Sequence, residues 1–487
     1  MTMTESGRTG SLERTLSDGG ASFVHEESTT QGRWKQYYTC FVFAMLCMSS
    51  GLNQGWSSPM IQILETDESP VGKLDNTQIG TLQSIPQFAG IAGVTLVVIT
   101  LIRFGTKTSG RLQGIFSFIG WLLVIFANNL PMLLFGRFFT SMTNIGVDVV
   151  ASFYLSEIAD DCRRGAIIAF ALFAITVGSL SATALGVVCY NYKLYNSLCI
   201  VPCMIFLLLC HWIPESPSHL IRTGKTEEAC QSYIWFHGVS IDSGQRYVRR
   251  MQAFKRTKFR PNVVLEEKSN RRAVLIMGFM IAFPNLCGTS VINSYTSKIF
   301  EIAKVEMKPN QSALLLACIA FLSGLAGALL IERAGRRILV ISSFIAMALG
   351  LYAVTAYFIM EDGELIHKNP PQWLIFAGMG CFSCGYTIGV NAVAQTMGAE
   401  LVPAGVKGVV WMFAGIGGLI TSVVTVQLYT LITNHMPYYV NFLQEAVFAT
   451  AAVVIAWFLI PETKGKSLAH ITAELKGERY DPESEEH

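Results

Sequence analysis

Twelve apolar stretches punctuate the chain, near residues 36–57, 79–101, 110–127, 130–151, 165–189, 194–213, 272–297, 311–331, 338–359, 372–398, 408–431 and 439–461. Each approaches the ~20 residues a helix needs to cross a bilayer, where every backbone amide must be bonded inside the protein. With 51% hydrophobic and only 14% charged residues among 487, the chain is too apolar for a soluble fold. The longest polar gap, 214–270, is rich in Lys, Arg and Glu and divides the stretches six and six. The expected fold is therefore an all-α integral membrane protein of twelve transmembrane helices in two six-helix halves, 36–213 and 271–461. The gap reads as a partly helical cytoplasmic linker, residues 1–35 as a disordered tail with no cleaved signal, and 462–487 as a second tail.

Charge placement orients this scheme. Arg33, Lys35, Arg103, Lys107, Arg111, Arg163, Arg164, Arg333, Arg336 and Arg337 fall at stretch ends on one side, whereas Glu65, Asp67, Glu68, Glu361, Asp362 and Glu364 fall on the other. The basic side is expected to be cytoplasmic and to hold both termini of a plasma-membrane protein. A net charge of +2 leaves no footprint for nucleic acid. Asn310 heads an Asn-Gln-Ser sequon, expected in an outer loop as a glycosylation site. Twelve cysteines, nearly all inside apolar stretches and without zinc-type spacing, read as small packing residues.

The two halves echo each other. "YLSEIADDCRRGAI" at 154–167 follows the fourth stretch and "GAELVPAGVKGVV" at 398–410 the tenth, and each sets a glutamate seven residues before a base: Glu157 with Arg164, Glu400 with Lys407. "IPESP" at 213–217 and "IPETKG" at 460–465 then close the halves. Such repetition implies equivalent bundles about an axis along the membrane normal with a solute path between them, the organisation of a carrier. Charges at span ends need partners, so Glu157, Arg164, Glu332, Arg333, Arg336, Arg337, Glu400 and Lys407 are candidate latches that hold one face shut and break when it opens. Positive-inside topology alone would also place each arginine there.

Taken together, "GRFFTSM" at 136–142, "YLSEI" at 154–158, "PESP" at 214–217, "IERAGRR" at 331–337 and "PETKG" at 461–465 resemble the sugar porter family of the major facilitator superfamily. "GLNQGWSSP" at 51–59 is similar to the first span of insect facilitated trehalose and glucose transporters. The resemblance covers about 35–475 and implies the major facilitator fold, alternating access, and facilitated diffusion of a sugar, hexose or trehalose-like. For Arg137 it implies pairing within the bundle, the alternative being a side chain that snorkels to lipid phosphates. The loop "LIRFGTKT" at 101–108 departs from the family, with Ile102 and Thr106 where an acid and a second arginine are expected. The first-half latch is accordingly expected to be weaker or differently paired.

The pocket departs further. Where the family carries two adjacent glutamines, a glycine and an asparagine in the seventh span, this chain has Pro284, Asn285, Gly288 and Ser290. Leu172 stands where a glutamine is usual in the fifth span, Gln395 where a tryptophan is usual in the tenth, and Gly418-Leu419 replace an asparagine and a tryptophan in the eleventh. Asn285, Ser290, Asn293, Asn391 and Gln395 remain as candidate solute ligands, because each buried sugar hydroxyl must regain donor and acceptor bonds. For each of them bonding to a neighbouring helix is the structural alternative. The runs "AGIAG" at 89–93 and "AGIGG" at 414–418 are expected to let helices approach closely.

Asp148, near the middle of the fourth span, is a candidate coupling site or an acid bonded to neighbouring helices. Asn53 stands near the place where proton-coupled sugar porters carry an aspartate, so uncoupled downhill transport is expected. No GxSxG, phosphate-cradling loop or paired-His motif is present, and the expectation is a protein that is no enzyme and needs neither cofactor nor metal. The competing readings are a carrier of another small organic solute and a non-transporting receptor or sensor on the same frame.

Overall fold

A computed structural model describes residues 28–67, 69–160, 163–253, 268–362, 370–401 and 407–462. Every regular element among them is helical. The first half comprises α1 (Thr30–Gly55), α2 (Ser57–Leu64), α3 (Asn76–Phe104), α4 (Thr106–Ile125), α5 (Leu130–Met142), α6 (Asn144–Ile158), α7 (Arg164–Val188), α8 (Tyr192–Cys199) and α9 (Val201–Leu209). The linker supplies α10 (Pro217–Arg222), α11 (Thr226–His237) and α12 (Ile241–Ala253). In the second half follow α13 (Lys268–Leu286), α14 (Thr289–Ile302), α15 (Pro309–Ala334), α16 (Arg336–Glu361), α17 (Gln372–Gly385), a π-helical turn at Tyr386–Asn391, α18 (Ala392–Glu400), α19 (Lys407–His435) and α20 (Tyr438–Leu459). Most of the two expected tails, and linker residues 254–267, lie outside the described residues.

Among the described residues, ten helical stretches are long and apolar enough to cross a membrane. The other two of the expected twelve, the first and the fourth, fail for local reasons. The first opens on a polar turn at Thr30 and changes helix at Trp56. The fourth is divided at Thr143 into pieces of 13 and 15 residues. There the Thr143 hydroxyl returns to Thr140 O at 2.7 Å, the kind of side-chain bond that competes with the helical ladder. One residue separates the pieces in each case, so the chain still makes twelve passes and residues 28 and 462 lie on one side, here the terminal face.

Lipid tails are as apolar as leucine, so spans are held by close packing through small residues. Gly51 of α1 sits so near α7 that a Cβ there would lie 1.9 Å from Ile175 O, and a Cβ on Gly178 would lie 2.3 Å from Met48 O. Gly93, in the first glycine run, touches α5 in the same way, 1.8 Å from Met142 O. The second run behaves differently from its expectation. Gly418 packs on Ile281, whereas Gly415 and Gly417 have nothing within 4 Å of a built Cβ.

The internal repeat has a structural meaning. Gly105 and Gly335, at φ +91° and +85°, make the equivalent turns from α3 to α4 and from α15 to α16, a conformation L side chains rarely adopt. Just past each turn a glutamate from the closing motif accepts two successive backbone amides. Glu215 takes Lys107 N at 2.8 Å and Thr108 N at 3.2 Å, and Glu462 takes Arg336 N at 3.0 Å and Arg337 N at 3.1 Å. A carboxylate on the positive end of a helix needs only main-chain donors. That is how "LIRFGTKT" keeps its anchor without the acid and second arginine of the family pattern.

The linker is tied to the first half. Thr29 N donates to His237 O at 3.0 Å, and Ser28 Oγ and Gln36 Nε2 converge on Asp160 Oδ1 at 2.5 and 3.3 Å.

Candidate functional site

The two halves meet near the face opposite the termini. Ser58 and Ser297 share a 2.8 Å hydroxyl bond, Lys298 Nζ pairs with Glu65 Oε2 at 2.5 Å, and Gln427 Nε2 donates to Ser84 Oγ at 2.6 Å. Tyr295 and Tyr429 pack beside the ion pair with ring centroids 4.7 Å apart and planes tilted by 34°. Together with Glu65, Asn76 and Lys298 they line a cavity of about 30 Å³, room for a water or two and not for a sugar. Deeper in, Phe173 meets Phe321 at 5.3 Å. The opposite face is therefore shut.

Asn310 belongs to this seam. Its amide nitrogen donates to Gly186 O at 3.1 Å, while its Oδ1 accepts from Ser297 Oγ at 2.9 Å.

On the terminal face several polar bonds tie each half to its own closing segment. Glu157 accepts from Ser216 Oγ at the start of the linker, and Arg337 Nη2 donates to Trp457 O at 2.6 Å with its guanidinium 5.4 Å from the Trp457 ring. Arg164 opens α7 and Arg336 opens α16 on this face. The helix positions of Glu332, Arg333, Gln395, Glu400 and Lys407 are seen, but their side chains, and the turn 402–406, lie outside the described part.

Two of the expected solute ligands are already saturated. Asn285 Nδ2 donates to Ile281 O at 3.0 Å and Gly418 O at 3.1 Å, and its Oδ1 accepts from Thr289 Oγ1 at 3.2 Å and Ser290 Oγ at 2.7 Å. Ser290 also bonds Ser422 at 2.6 Å. These groups brace the break between α13 and α14 at Gly288, whose φ is +89°. Asn293 and Asn391, by contrast, are exposed, as is Gln54, which the sequence reading passed over beside Asn53. An amide facing hydrocarbon costs several kcal/mol, so exposed amides at this depth mark a wetted surface. Gln83 Nε2 and Gln87 Oε1, four residues apart on α3, are buried and have no hydrogen-bond partner among the described residues.

Arg137 does not snorkel. It is 2% exposed, donates to Asn53 Oδ1 and to Ser57 Oγ at 3.2 Å, and lies 4.3 Å over the Trp56 ring. No carboxylate lies within 4 Å of it among the described residues. Asp148 sits on α6 with Oδ1 buried and unpartnered, as an acid inside a bundle and not one bonded to neighbouring hydroxyls. It is not alone at depth: Glu445 on α20, in "NFLQEAVF", is fully buried, a second acid that the sequence pattern did not single out.

Two six-helix halves, joined by side-chain bonds at the face opposite the termini, define a multi-pass membrane carrier of the major facilitator fold. The xylose transporter XylE from E. coli, in a partially occluded inward-open conformation, superposes with a TM-score of 0.72 at 16% identity, over 89% of this chain and all of that one. A POT family peptide transporter matches at a TM-score of 0.60. Residues 30–475 match the model of the family "Sugar (and other) transporter", and the chain belongs to that family. It is 27% identical to the facilitated glucose transporter member 8 of solute carrier family 2 from Bos taurus, over 92% of this chain and 96% of that relative. To the facilitated trehalose transporter Tret1 of Bombyx mori it is 26% identical, over 92% and 89%.

The Glu65–Lys298 pair is 18% and 24% exposed, enough water to discount its strength to about 1–2 kcal/mol. Lys298→Met should therefore shift the closed-to-open ratio of this face by about tenfold. Hydrogen exchange of α14 measures it, and unchanged protection would remove the pair from the seam's energetics.

Proposed function

We propose that the chain is a facilitative carrier of the plasma membrane that moves a hexose or trehalose-like sugar by alternating access. Its termini and linker face the cytoplasm, in keeping with the basic residues clustered on that side. The structure then corresponds to the state closed to the outside. The observation that carries the reading is the bonded seam between the halves on the outer side, where Ser58 meets Ser297 and Lys298 meets Glu65. In the reverse state, Glu157, Arg164, Glu332, Arg333, Arg336, Arg337, Glu400 and Lys407 become the latch that closes the cytoplasmic side.

Asn293, Asn391 and Gln395, with Gln54 and Gln87, line the solute path, while Asn285 and Ser290 act through the α13–α14 break. Because that pair is saturated, the polar edge offered to a sugar is smaller than in the family pattern, and this favours a second reading, a carrier of another small organic solute. Asp148 is the coupling candidate, and without an acid at Asn53 transport runs downhill. Purified protein in vesicles, offered a panel of labelled hexoses, trehalose and polyols, tests this directly. Saturable, stereoselective exchange of D- over L-glucose or of trehalose is expected, without accumulation under a pH gradient. A panel in which no sugar moves would transfer the proposal to the second reading, and accumulation abolished by Asp148→Asn would replace the facilitator with a symporter.

A further inference from the structure

Glu445 is fully buried on α20, seven residues from the helix start and so roughly 10 Å in from the outer end. Its Oε1 accepts from Asn441 Nδ2 at 3.0 Å, and its Oε2 has no donor. Among the described residues no cation lies within 4 Å of it. Both oxygens press on the break between α13 and α14: a Cβ on Gly288 would lie 2.3 Å from Oε2 and 2.8 Å from Oε1. The titratable groups around it are Cys287 at that break and Tyr429 on α19. From α16 the contact beside it is aromatic, Phe358 stacked on Phe442 at 5.2 Å.

An ionised carboxylate in such a place, without counter-charge and with one oxygen unbonded, is strongly disfavoured, so the acid is neutral while the seam is shut. The break it touches is the root of α14, which carries Tyr295, Ser297 and Lys298 into the outer seam. We propose that Glu445 is a proton-binding site that holds its proton while the outer face is closed and releases it to entering water when α14 swings away, so that proton occupancy biases the switch. The inference rests on the alternating-access reading but not on the identity of the solute. The closed conformer binds the proton more tightly, so acid favours closure and alkali favours outer opening.

The test uses the full chain in lipid vesicles with no solute, which separates it from the sugar reading. Symmetrical pH is stepped from about 5 to about 9, a span that covers buried carboxyl groups. Infrared difference spectra should show the C=O band of a protonated carboxyl disappear, retained in Asp148→Asn and missing from Glu445→Gln, which keeps the neutral shape. Hydrogen exchange across 289–302, corrected for the intrinsic pH dependence, should rise about threefold or more in the wild type and stay flat in Glu445→Gln. A wild type whose corrected exchange ignores pH overturns the proposal without recourse to any variant. So does a Glu445→Gln protein that keeps the band change.

Discussion

Gly51→Val should abolish recovery of folded, monodisperse protein, while Gly415→Val should be tolerated. The two glycines look alike in sequence, each within a small-residue stretch of a span. Their surroundings differ: a Cβ on Gly51 would stand 1.9 Å from Ile175 O, a main-chain atom that cannot rotate away, whereas one on Gly415 meets nothing within 4 Å. Relieving the first clash requires α1 and α7 to separate along the contact that Gly55 and Gly178 also build. Overpacking typically costs about 1–3 kcal/mol, and the upper end or beyond applies where the obstacle is backbone. Gly51→Ala should fall between, melting lower than the parent but remaining soluble in detergent. Equal yield and melting of the two valine variants would show that α1 and α7 are not held by this contact.

That contrast also marks what a single sequence can and cannot tell. Span number and the division at the linker were legible because hydrocarbon leaves the backbone no other partner. The breaks were not. Thr143, Trp56 and Gly288 interrupt stretches that read as continuous, since apolar content is unchanged across them and the interruption comes from side-chain bonds and from an opposing helix. The repeat was legible as letters, but its mechanics, Glu215 and Glu462 each holding two amides of a following helix, depended on distance in space.

The site was legible by residue type and less so by role. Asn285 and Ser290 read as solute ligands in the seventh span, yet their bonding capacity is consumed by Ser422 and by Gly418 O, partners more than a hundred residues away. Asn293 and Asn391 kept free amides because the faces they occupy are wetted. Glu445 was missed because an acid near a span end ordinarily reaches water, and only the packing of α13, α16 and α19 around α20 buries it.

Arg137→Met should lower transport at least tenfold while leaving the melting temperature nearly unchanged, and Asn53→Asp should also slow transport but raise the melting temperature. Arg137 is a buried cation whose described partners are neutral: Asn53 through Oδ1 and O, Ser57 Oγ, and the Trp56 ring. Amides and an indole face offset only part of the desolvation of a guanidinium, so replacing it with a similar apolar volume relieves about as much as it forfeits. What Met cannot do is hold α5 to the point where α1 gives way to α2, since Asn53 and Ser57 flank Trp56 on either side of that change of helix. A carrier whose switch turns on that bend then loses rate and not stability. Asn53→Asp places a carboxylate where the amide oxygen already meets the guanidinium, and a charge-assisted bond of about 1.5–3 kcal/mol should raise the melting temperature. The same bond deepens one state of the switch and slows exchange by about tenfold for each 1.4 kcal/mol of bias. Melting curves in detergent and equilibrium exchange in vesicles measure both halves of the prediction. A large fall in the melting temperature of Arg137→Met would make the arginine a structural strut, and faster exchange in Asn53→Asp would mean that the bond belongs to the transition between states and not to either one.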